Sequence, residues 1–384
     1  MSPSLPLPSS AAQAHSEKLC KIIHADIATQ GGWIPFSRFM ELALYAPGLG
    51  YYSAGARKFG EDGDFITAPE LSPLFGRTLA RQVAEIMAHS MPQVMELGAG
   101  SGKLAADVLG ELERMDSLPQ RYDILEVSAD LRARQQELLR ARVPHLMDRV
   151  RWLDVLPENI SGAVIANEVL DALPVHLLRW TDVGIVERGV ASEGEKFTWQ
   201  ERQPANAALL KIAQNISVPK NYLSEISLAT RGLIFSLCMR LQQGALLFID
   251  YGFGAGEYYH PQRNQGTLMC HYRHHAHDDP FYLPSLQDIT AHVDFTAIAE
   301  SAIDSGAELL GYTSQAHFLI NCGIADFMAE SDPENLRDYL PLSAQLQKLT
   351  SPAEMGELFK VVALGKGMDE VLRGFVTGDK SRFL

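Results

Sequence analysis

The sequence predicts an α/β protein with a doubly wound, mostly parallel, Rossmann-like sheet. Apolar stretches of strand length alternate with helical patterns from residue 72 onward. A glycine-rich turn follows one of these stretches, and polar side chains come directly after several others. Because strands that alternate with helices are typical of parallel sheets, we expect a ligand site at the carboxyl ends of the strands.

The first ninety residues are predicted to be mainly helical. Residues 1–13 are rich in Pro and Ser and are expected to form a disordered lead-in, and apolar spacing predicts a helix over 15–30. A short helix follows near 35–45. Residues 46–70 then contain seven Gly or Pro positions, which predicts a long loop of the kind that often forms a lid. Residues 14–90 are therefore interpreted as a helical extension with a lid.

Residues 91–384 are predicted to form the main domain. The predicted strands are 94–97, 122–126, 150–153, 163–166, 245–250 and 358–364, and the predicted helices are 72–89, 129–141 and 229–242 with one more from residue 103. The mixed pattern of residues 173–224 predicts an insertion. Residues 252–284 are rich in Gly, Pro and His and are predicted to be a loop. The remainder is expected to be helical up to the last strand.

Composition and charge indicate a soluble enzyme and disfavour nucleic acid. The chain has 384 residues, of which 46% are hydrophobic and 21% charged, and its net charge is −14. DNA-binding proteins present basic surfaces, so no DNA partner is expected. No run of about 18 apolar residues occurs, so we expect no membrane span.

Cysteine content and the N-terminal residues predict a cytoplasmic location. The chain has no closely spaced pair that would suggest a disulfide framework or a zinc site, and its cysteines are Cys20, Cys238, Cys270 and Cys322. Residues 1–14 lack Lys and Arg, unlike secretory signals and transit peptides.

The turn over residues 94–102 is typical of a cofactor site. Its glycines follow G-x-G-x-G, whereas the dinucleotide fingerprint G-x-G-x-x-G would need a glycine at Lys103. An acid at Glu96 suits the ammonium group of S-adenosylmethionine (SAM) and would repel a pyrophosphate. An ordinary strand-to-helix turn is the alternative. The candidate cofactor-binding residues here are Glu96, Gly98, Ala99, Gly100 and Gly102.

Two acids follow the next strands. Glu126 ends the second strand, 24 residues after Gly102, where a carboxylate can accept hydrogen bonds from both ribose hydroxyls. Asp154 follows the third strand and could accept a bond from the adenine amino group. The alternatives are a solvent-exposed Glu at a strand end and an Asp that begins a turn.

The fourth strand ends in a polar cluster where a methyl acceptor would face the cofactor. Asn167 is a candidate cofactor ligand, and Glu168 and Asp171 are candidate catalytic carboxylates that would share a face if this segment were helical. Helix capping is the alternative interpretation of these three residues.

The chain resembles the MidA family of class I SAM-dependent methyltransferases from about Ile34 to Gly365. The specific blocks are Gly63-Asp64-Phe65-Ile66-Thr67-Ala68-Pro69-Glu70 with Ser72 and Phe75-Gly76, the glycine turn, Asn167-Glu168 with Asp171 and Pro174, Ile249-Asp250-Tyr251-Gly252, and Asp288-Ile289-Thr290-Ala291-His292-Val293-Asp294-Phe295. The resemblance implies a seven-stranded methyltransferase sheet with an N-terminal helical extension and inserted substrate-side elements. It also implies that Thr67, Pro69 and Glu70 contact the cofactor.

The resemblance implies methylation of a protein arginine. Mitochondrial members of the family assist assembly of respiratory complex I in this way, so a respiratory-complex subunit is one expected partner. Glu168, Asp171 or His292 could receive the proton that the guanidinium loses, and a supporting or capping role is the alternative for His292. A small molecule or RNA acceptor stays open, as does a SAM-binding assembly factor without catalysis.

The segment 270–279 contains four histidines and two acids that could suggest a metal site. Metal sites normally draw ligands from at least two rigid segments, and no other His has a matching spacing, so no metal is predicted. The resemblance assigns residues 252–284 to a substrate-facing loop.

Overall fold

The computed structural model describes residues 5–54 and 67–384. The chain forms two compact units, each assembled from separate segments. Unit 1 comprises residues 1–65, 170–232 and 255–293, and unit 2 comprises residues 66–169, 233–254 and 294–384. The predicted continuous division after residue 90 differs from this arrangement. Residues 55–66, which include Gly63-Asp64-Phe65-Ile66 and the centre of the predicted lid, lie outside the described residues.

Unit 2 contains the predicted Rossmann-like sheet. Seven strands form its main path: β1 (Gln93–Leu97), β2 (Arg121–Leu125), β3 (Val150–Leu153), β4 (Ile160–Asn167), β5 (Leu241–Phe253), β6 (Glu308–Ser314) and β7 (Phe359–Lys366). They lie in the order β3-β2-β1-β4-β5-β7-β6. The two-residue strand Val293–Asp294 pairs with β5 beside this path. All neighbours in β3 to β5 are parallel, and β7 is antiparallel to both β5 and β6. The predicted doubly wound class is confirmed.

The helices of unit 2 bury the sheet. They are Ala68–Leu71, Pro73–Ala88, Lys103–Arg114, Ala129–Arg142, Phe295–Asp304, Gln315–Asn321, Asp326–Ala329, Leu336–Thr350 and Met355–Leu358, with 3-10 turns at Pro144–Arg149, Arg373–Phe375 and Ser381–Phe383. Consecutive residues of β5, such as Leu246 and Leu247, are both fully buried. Because successive side chains of a strand point to opposite faces, this pattern marks a central strand that is covered on both sides.

Unit 1 is built around an antiparallel sheet. Trp33–Pro35, Gly184–Glu193, His176–Thr181 and Tyr222–Ile226 pair in that order, and Lys196–Arg202 also pairs with Gly184–Glu193. The helices are Ser10–Thr29, Phe36–Tyr45, Ala207–Gln214 and Ala255–Tyr258, with a 3-10 turn at Pro261–Arg263, and a second small sheet contains Met269–Tyr272, His275–His277 and Asp288–Thr290. An apolar core joins helix residues such as Ile23 and Phe39 to strand residues such as Val190. Residues from the predicted insertion and from the predicted N-terminal extension thus share one core.

Two elements contain residues of both units. They are the helix Leu228–Arg240 and the two-residue strand Val293–Asp294.

Several boundaries differ from the prediction. The first helix begins at Ser10, because the Ser9 hydroxyl accepts the N–H of Ala12 as an N-cap, so the predicted lead-in is helical over its last residues. β6 falls in a region that was predicted to be helical, since its sequence lacks the strict alternation of a strand. In the described parts of the chain, every helix is too short or too polar to cross a membrane.

Candidate active site

The glycine turn connects β1 to the helix Lys103–Arg114 through three left-handed residues. The φ angles are +61° at Gly98, +53° at Gly100 and +87° at Gly102, a region that side chains with a Cβ rarely adopt. A Cβ on Gly98 would also lie 3.1 Å from Cγ2 of Val169. The turn therefore needs glycine both for its backbone conformation and for space, and the N–H groups at the start of the helix lie next to it.

Glu96 is buried inside the sheet below this turn. Its side chain is only 2% exposed, and the hydroxyl of Tyr122 on β2 donates to its Oε2 at 2.7 Å. The pKa of Glu96 is raised to about 7, mainly by burial; the Tyr122 hydrogen bond opposes this rise and the negative charge of Glu126 adds to it. A cationic ligand close to Glu96 would favour the ionised carboxylate.

Glu126 follows β2 and presents a buried carboxylate. It accepts the backbone N–H of Ser128 at 2.8 Å and the side-chain amide of Gln135 at 3.0 Å. Burial raises the pKa of Glu126, and these hydrogen bonds, with one from Val127, oppose that effect. An ionised carboxylate has about four lone-pair positions, so it retains accepting capacity for a ligand hydroxyl.

Gln135 is a residue of this site that was not predicted from the sequence. Its amide nitrogen donates to the carbonyl of Gly100 and to Glu126, both at 3.0 Å, and its amide oxygen accepts the indole N–H of Trp152 at 2.9 Å. Gln135 is fully buried. A signal was present in the sequence, because Leu131, Gln135 and Leu139 lie four residues apart and so share one helix face.

Asp154 lies at the surface, beside the end of β3. Its side chain is 84% exposed and forms an ion pair with Arg132 at 2.8 Å. Arg132 also donates to the carbonyls of Glu126 and Leu153, at 3.2 and 3.1 Å. Arg132 therefore connects the ends of β2 and β3, and the adenine contact of Asp154 stays a prediction.

The short helix Ala68–Leu71 brings part of the first specific block to the glycine turn. The Ser101 hydroxyl donates to the carboxylate of Glu70, and the Lys103 ammonium donates to the Glu70 carbonyl at 2.8 Å. Thr67 and Pro69 are buried in the same segment. These contacts place Glu70 against the residues that follow the glycines.

Asn167 is the last residue of β4, and Glu168 lies in the bend that follows. This segment is therefore not helical. Glu168 adopts φ +52°, which is uncommon for a residue with a Cβ, and its N–H donates to the Ile249 carbonyl of β5 at 2.9 Å. The amide of Asn167 donates to Oε1 of Glu168 at 3.1 Å. The buried Oδ1 of Asn167 has no hydrogen-bond partner among residues 5–54 and 67–384.

Asp171 and His292, the other predicted catalytic residues, belong to unit 1. The backbone N–H of Ala291 donates to the Asp171 carbonyl at 3.0 Å, which joins their two segments. The N–H of His292 donates to the hydroxyl of Thr267, also at 3.0 Å. Asp171 is buried and His292 is partly buried.

Tyr52 connects the described start of the predicted lid to the last specific block. Its hydroxyl donates to Oδ1 of Asp288 at 2.9 Å, and its ring stacks on Tyr45 with centroids 5.6 Å apart. Burial, followed by the negative charge of Asp288, raises the pKa of Tyr52 well above 10. Asp288 belongs to that block, and no role was predicted for it from the sequence.

The histidine-rich segment is a hairpin. Met269–Tyr272 pairs with His275–His277 through a two-residue turn in which Arg273 and His274 both have positive φ, as tight hairpins require. Within the part of the chain that the structure describes, no group of three His, Cys, Asp or Glu side chains is arranged to hold a metal ion.

The residues at the carboxyl ends of β1, β2 and β4 fit S-adenosylmethionine. The glycines leave a space that a Cβ would narrow, Glu126 offers an acceptor for ribose hydroxyls, and the buried Oδ1 of Asn167 is a further acceptor. Glu96 adds a buried carboxylate for an ammonium group. This donor and acceptor set suits a nucleoside cofactor that carries a positive charge.

Comparisons with known proteins agree with this geometry. A family model described as S-adenosyl-L-methionine-dependent methyltransferase matches residues 78–313. The chain is 52% identical to a crystallised COG1565 superfamily member from Burkholderia thailandensis bound to S-adenosyl-homocysteine, with a TM-score of 0.96 over 99% of this chain and 100% of that one.

Curated relatives cover nearly the same range. The Drosophila melanogaster protein arginine methyltransferase NDUFAF7 homolog, mitochondrial, is 29% identical over 94% of this chain and 88% of its own length. The Mus musculus protein arginine methyltransferase NDUFAF7, mitochondrial, is 30% identical over 87% of this chain and 81% of its own length.

These relatives overturn the expectation of a cytoplasmic location, because both are named as mitochondrial proteins. The expectation depended partly on four cysteines without a disulfide pattern. Free thiols indicate a reducing compartment, but they do not identify which one.

Proposed function

We propose that this chain, which belongs to the S-adenosyl-L-methionine-dependent methyltransferase family, transfers methyl groups to arginine side chains of a protein. The use of SAM follows from the family match and from the similar crystal structure with S-adenosyl-homocysteine. The arginine acceptor is supported by the relatives that are named protein arginine methyltransferases. Because these relatives are 29–30% identical to this chain, the identity of the methyl acceptor has to be tested by experiment.

The observation that carries the proposal is the conformation of Glu168. A left-handed backbone at a residue other than glycine costs about 1–3 kcal/mol, so the surrounding structure must hold it there. The bond from the Glu168 N–H to the Ile249 carbonyl and the contact with the Asn167 amide do so. The Glu168 side chain is thereby held at the carboxyl end of β4, the edge of the sheet that also carries the glycine turn.

A fixed carboxylate suits a guanidinium acceptor. Guanidinium groups stay protonated in water, and carboxylates bind their planar N–H fork through two parallel hydrogen bonds. When bound, the cofactor supplies an electrophilic methyl group. Glu168 would orient one guanidinium nitrogen toward that methyl group, which contributes to the rate mainly through positioning.

The guanidinium must also lose a proton. As a nitrogen forms its bond to the methyl carbon, that nitrogen becomes more acidic, and a nearby base can accept the proton. Glu168 is our first candidate for this base. Asp171 and His292 remain predicted alternatives, and a respiratory-complex subunit is the acceptor that we would test first.

The test is methyl transfer from labelled SAM to protein acceptors, followed by acid hydrolysis and quantification of methylarginine. We expect label in methylarginine with the wild-type chain and at least about 100-fold less with Glu168→Gln, provided that the variant still binds S-adenosyl-homocysteine. Label that enters only RNA, small molecules or another amino acid would show that the acceptor is wrong, while the methyltransferase activity itself would stand.

A further inference from the structure

Gln135 connects three parts of the cofactor site. Its amide nitrogen has two hydrogens, and both are used: one bond goes to the Gly100 carbonyl and one to Oε2 of Glu126, each 3.0 Å long. Its amide oxygen accepts the indole N–H of Trp152 at 2.9 Å. A single side chain thus binds the glycine turn, the carboxylate after β2 and a residue of β3.

The three bonds determine which way the amide faces. The carbonyl of Gly100 and the carboxylate of Glu126 can only accept, and the indole N–H of Trp152 can only donate. Reversing the amide would set acceptor against acceptor on one side and donor against donor on the other. Gln135 is fully buried, so water does not replace a lost bond at low cost.

The backbone around Gln135 is fitted to the turn. A Cβ on Gly102 would lie 3.1 Å from Cα of Gln135 and 3.3 Å from its Cβ and Cγ. The glycine therefore allows the helix Ala129–Arg142 to approach the turn closely enough for the amide to reach Gly100. This close approach explains why the hydrogen bonds can form without a water between the partners.

We infer that Gln135 is a positioning residue that holds the Glu126 carboxylate in the orientation that binds the ribose hydroxyls of the cofactor. The inference depends on the assignment of Glu126 as the ribose acceptor. The Ser128 N–H binds Oε1 of Glu126 and the Gln135 amide binds Oε2, so both oxygens are fixed from the protein side. The remaining lone pairs then have a defined direction toward a ligand.

The test compares two ligands, S-adenosyl-homocysteine and its 2′,3′-dideoxyribose analogue, by calorimetric titration. In the wild-type chain the natural ligand should bind about 10- to 100-fold more tightly, because hydrogen bonds to a charged acceptor are lost in the analogue. Gln135→Met keeps the side-chain length and removes the amide. We expect it to reduce this ratio to below about threefold, while Gln136→Met, on the same helix, keeps the wild-type ratio.

The ratio of the two affinities distinguishes a positioning role of Gln135 from a general loss of binding or stability. If Gln135→Met weakens both ligands equally, or leaves both unchanged, Gln135 does not position Glu126 and the inference is wrong. Trp152→Phe removes the indole N–H bond, together with part of the ring, and should lower the ratio by a few fold, which provides a test if Gln135→Met does not fold. An unchanged ratio in Trp152→Phe would also contradict the inference.

Glu126→Gln tests the assignment of Glu126 as the ribose acceptor separately from the role of Gln135. If this variant keeps the wild-type ratio, Glu126 is not the ribose acceptor, and the inference about Gln135 is wrong together with that assignment. If Glu126→Gln abolishes the ratio and Gln135→Met preserves it, only the inference about Gln135 is overturned.

Discussion

Thr267 and Glu225 are joined by two hydrogen bonds in unit 1. The Thr267 N–H donates to Oε1 of Glu225 at 2.9 Å, and the Thr267 hydroxyl donates to Oε2 at 3.1 Å. The same hydroxyl accepts the N–H of His292 at 3.0 Å. A Cβ on Gly266 would lie 2.2 Å from Oε1, so the segment can approach this buried carboxylate only because residue 266 is glycine. Glu225 thereby fixes the backbone that carries His292.

Replacement of Thr267 by Val should destabilise unit 1. The variant keeps the shape of the side chain, but it removes a donor to Glu225 and leaves the His292 N–H without its acceptor. The expected loss is about 1–3 kcal/mol of unfolding free energy. Calorimetric unfolding of Thr267→Val and of the half-buried control Thr198→Val measures the difference. Equal unfolding midpoints for the two variants would contradict the role of the Thr267 hydroxyl.

Glu96 predicts a pH dependence of stability. Burial raises its pKa from 4.5 to about 7 in the folded chain. A folded-state pKa that is raised gives a stabilising contribution that is present below about pH 4.5 and is lost as the pH rises through about 7. The loss amounts to roughly 3 kcal/mol, since one pKa unit corresponds to about 1.4 kcal/mol.

Glu96→Gln should remove this loss, because the amide does not ionise. We expect the unfolding midpoint of the variant, relative to wild type, to increase between pH 5 and pH 8 when both are measured by calorimetry without ligand. Tyr122→Phe is the companion variant, since it removes the hydroxyl that donates to Glu96. A midpoint difference that does not change with pH would show that Glu96 keeps an ordinary pKa.

Gly98→Ala should weaken cofactor binding strongly. The added methyl group meets Cγ2 of Val169 at 3.1 Å, and φ +61° is strained for alanine. We expect the dissociation constant for S-adenosyl-homocysteine to rise at least about 100-fold. Gly110→Ala is a matched control, because a Cβ there meets no atom within 4 Å. Retained binding in Gly98→Ala would contradict the position of the cofactor over this turn.

Glu168→Gln should separate binding from catalysis. The amide is close to the carboxylate in size, but it neither binds a guanidinium fork as an anion nor accepts its proton efficiently. We predict unchanged affinity for S-adenosyl-homocysteine and a loss of kcat of about 10²- to 10⁴-fold. Steady-state kinetics with an arginine-containing acceptor measure this. A variant with full kcat would remove Glu168 from the proposed mechanism.

Local patterns were sufficient to predict most of the sheet. β3 was predicted with its observed bounds, and β5 is so apolar that only its ends were misplaced. The antiparallel sheet of unit 1 was not predicted, because Trp33–Pro35 pairs with Gly184–Glu193, far away in the chain. Pairing between distant segments leaves little local signal, and burial on one face only weakens the strand pattern further.

The residues expected to contact the cofactor were easier to predict than the residue that holds them in position. The glycines and Glu126 have sequence signals because backbone conformation and strand ends restrict the residue type. Gln135 shares a helix face with Leu131 and Leu139, which indicates burial, but only its three partners in space reveal its position in the site. The family resemblance implied that Glu70 contacts the cofactor, but its contact with Ser101 was not predicted, since no local pattern connects those two residues.

Calorimetric titration of the purified wild-type chain with S-adenosyl-homocysteine, SAM and NAD tests the central claim most directly. Because Glu96 and the G-x-G-x-G spacing suit a cationic nucleoside cofactor, we predict saturable binding of the first two ligands and none of NAD. Absence of S-adenosyl-homocysteine binding, or NAD binding of equal strength, would contradict the assignment of the glycine turn as a SAM site.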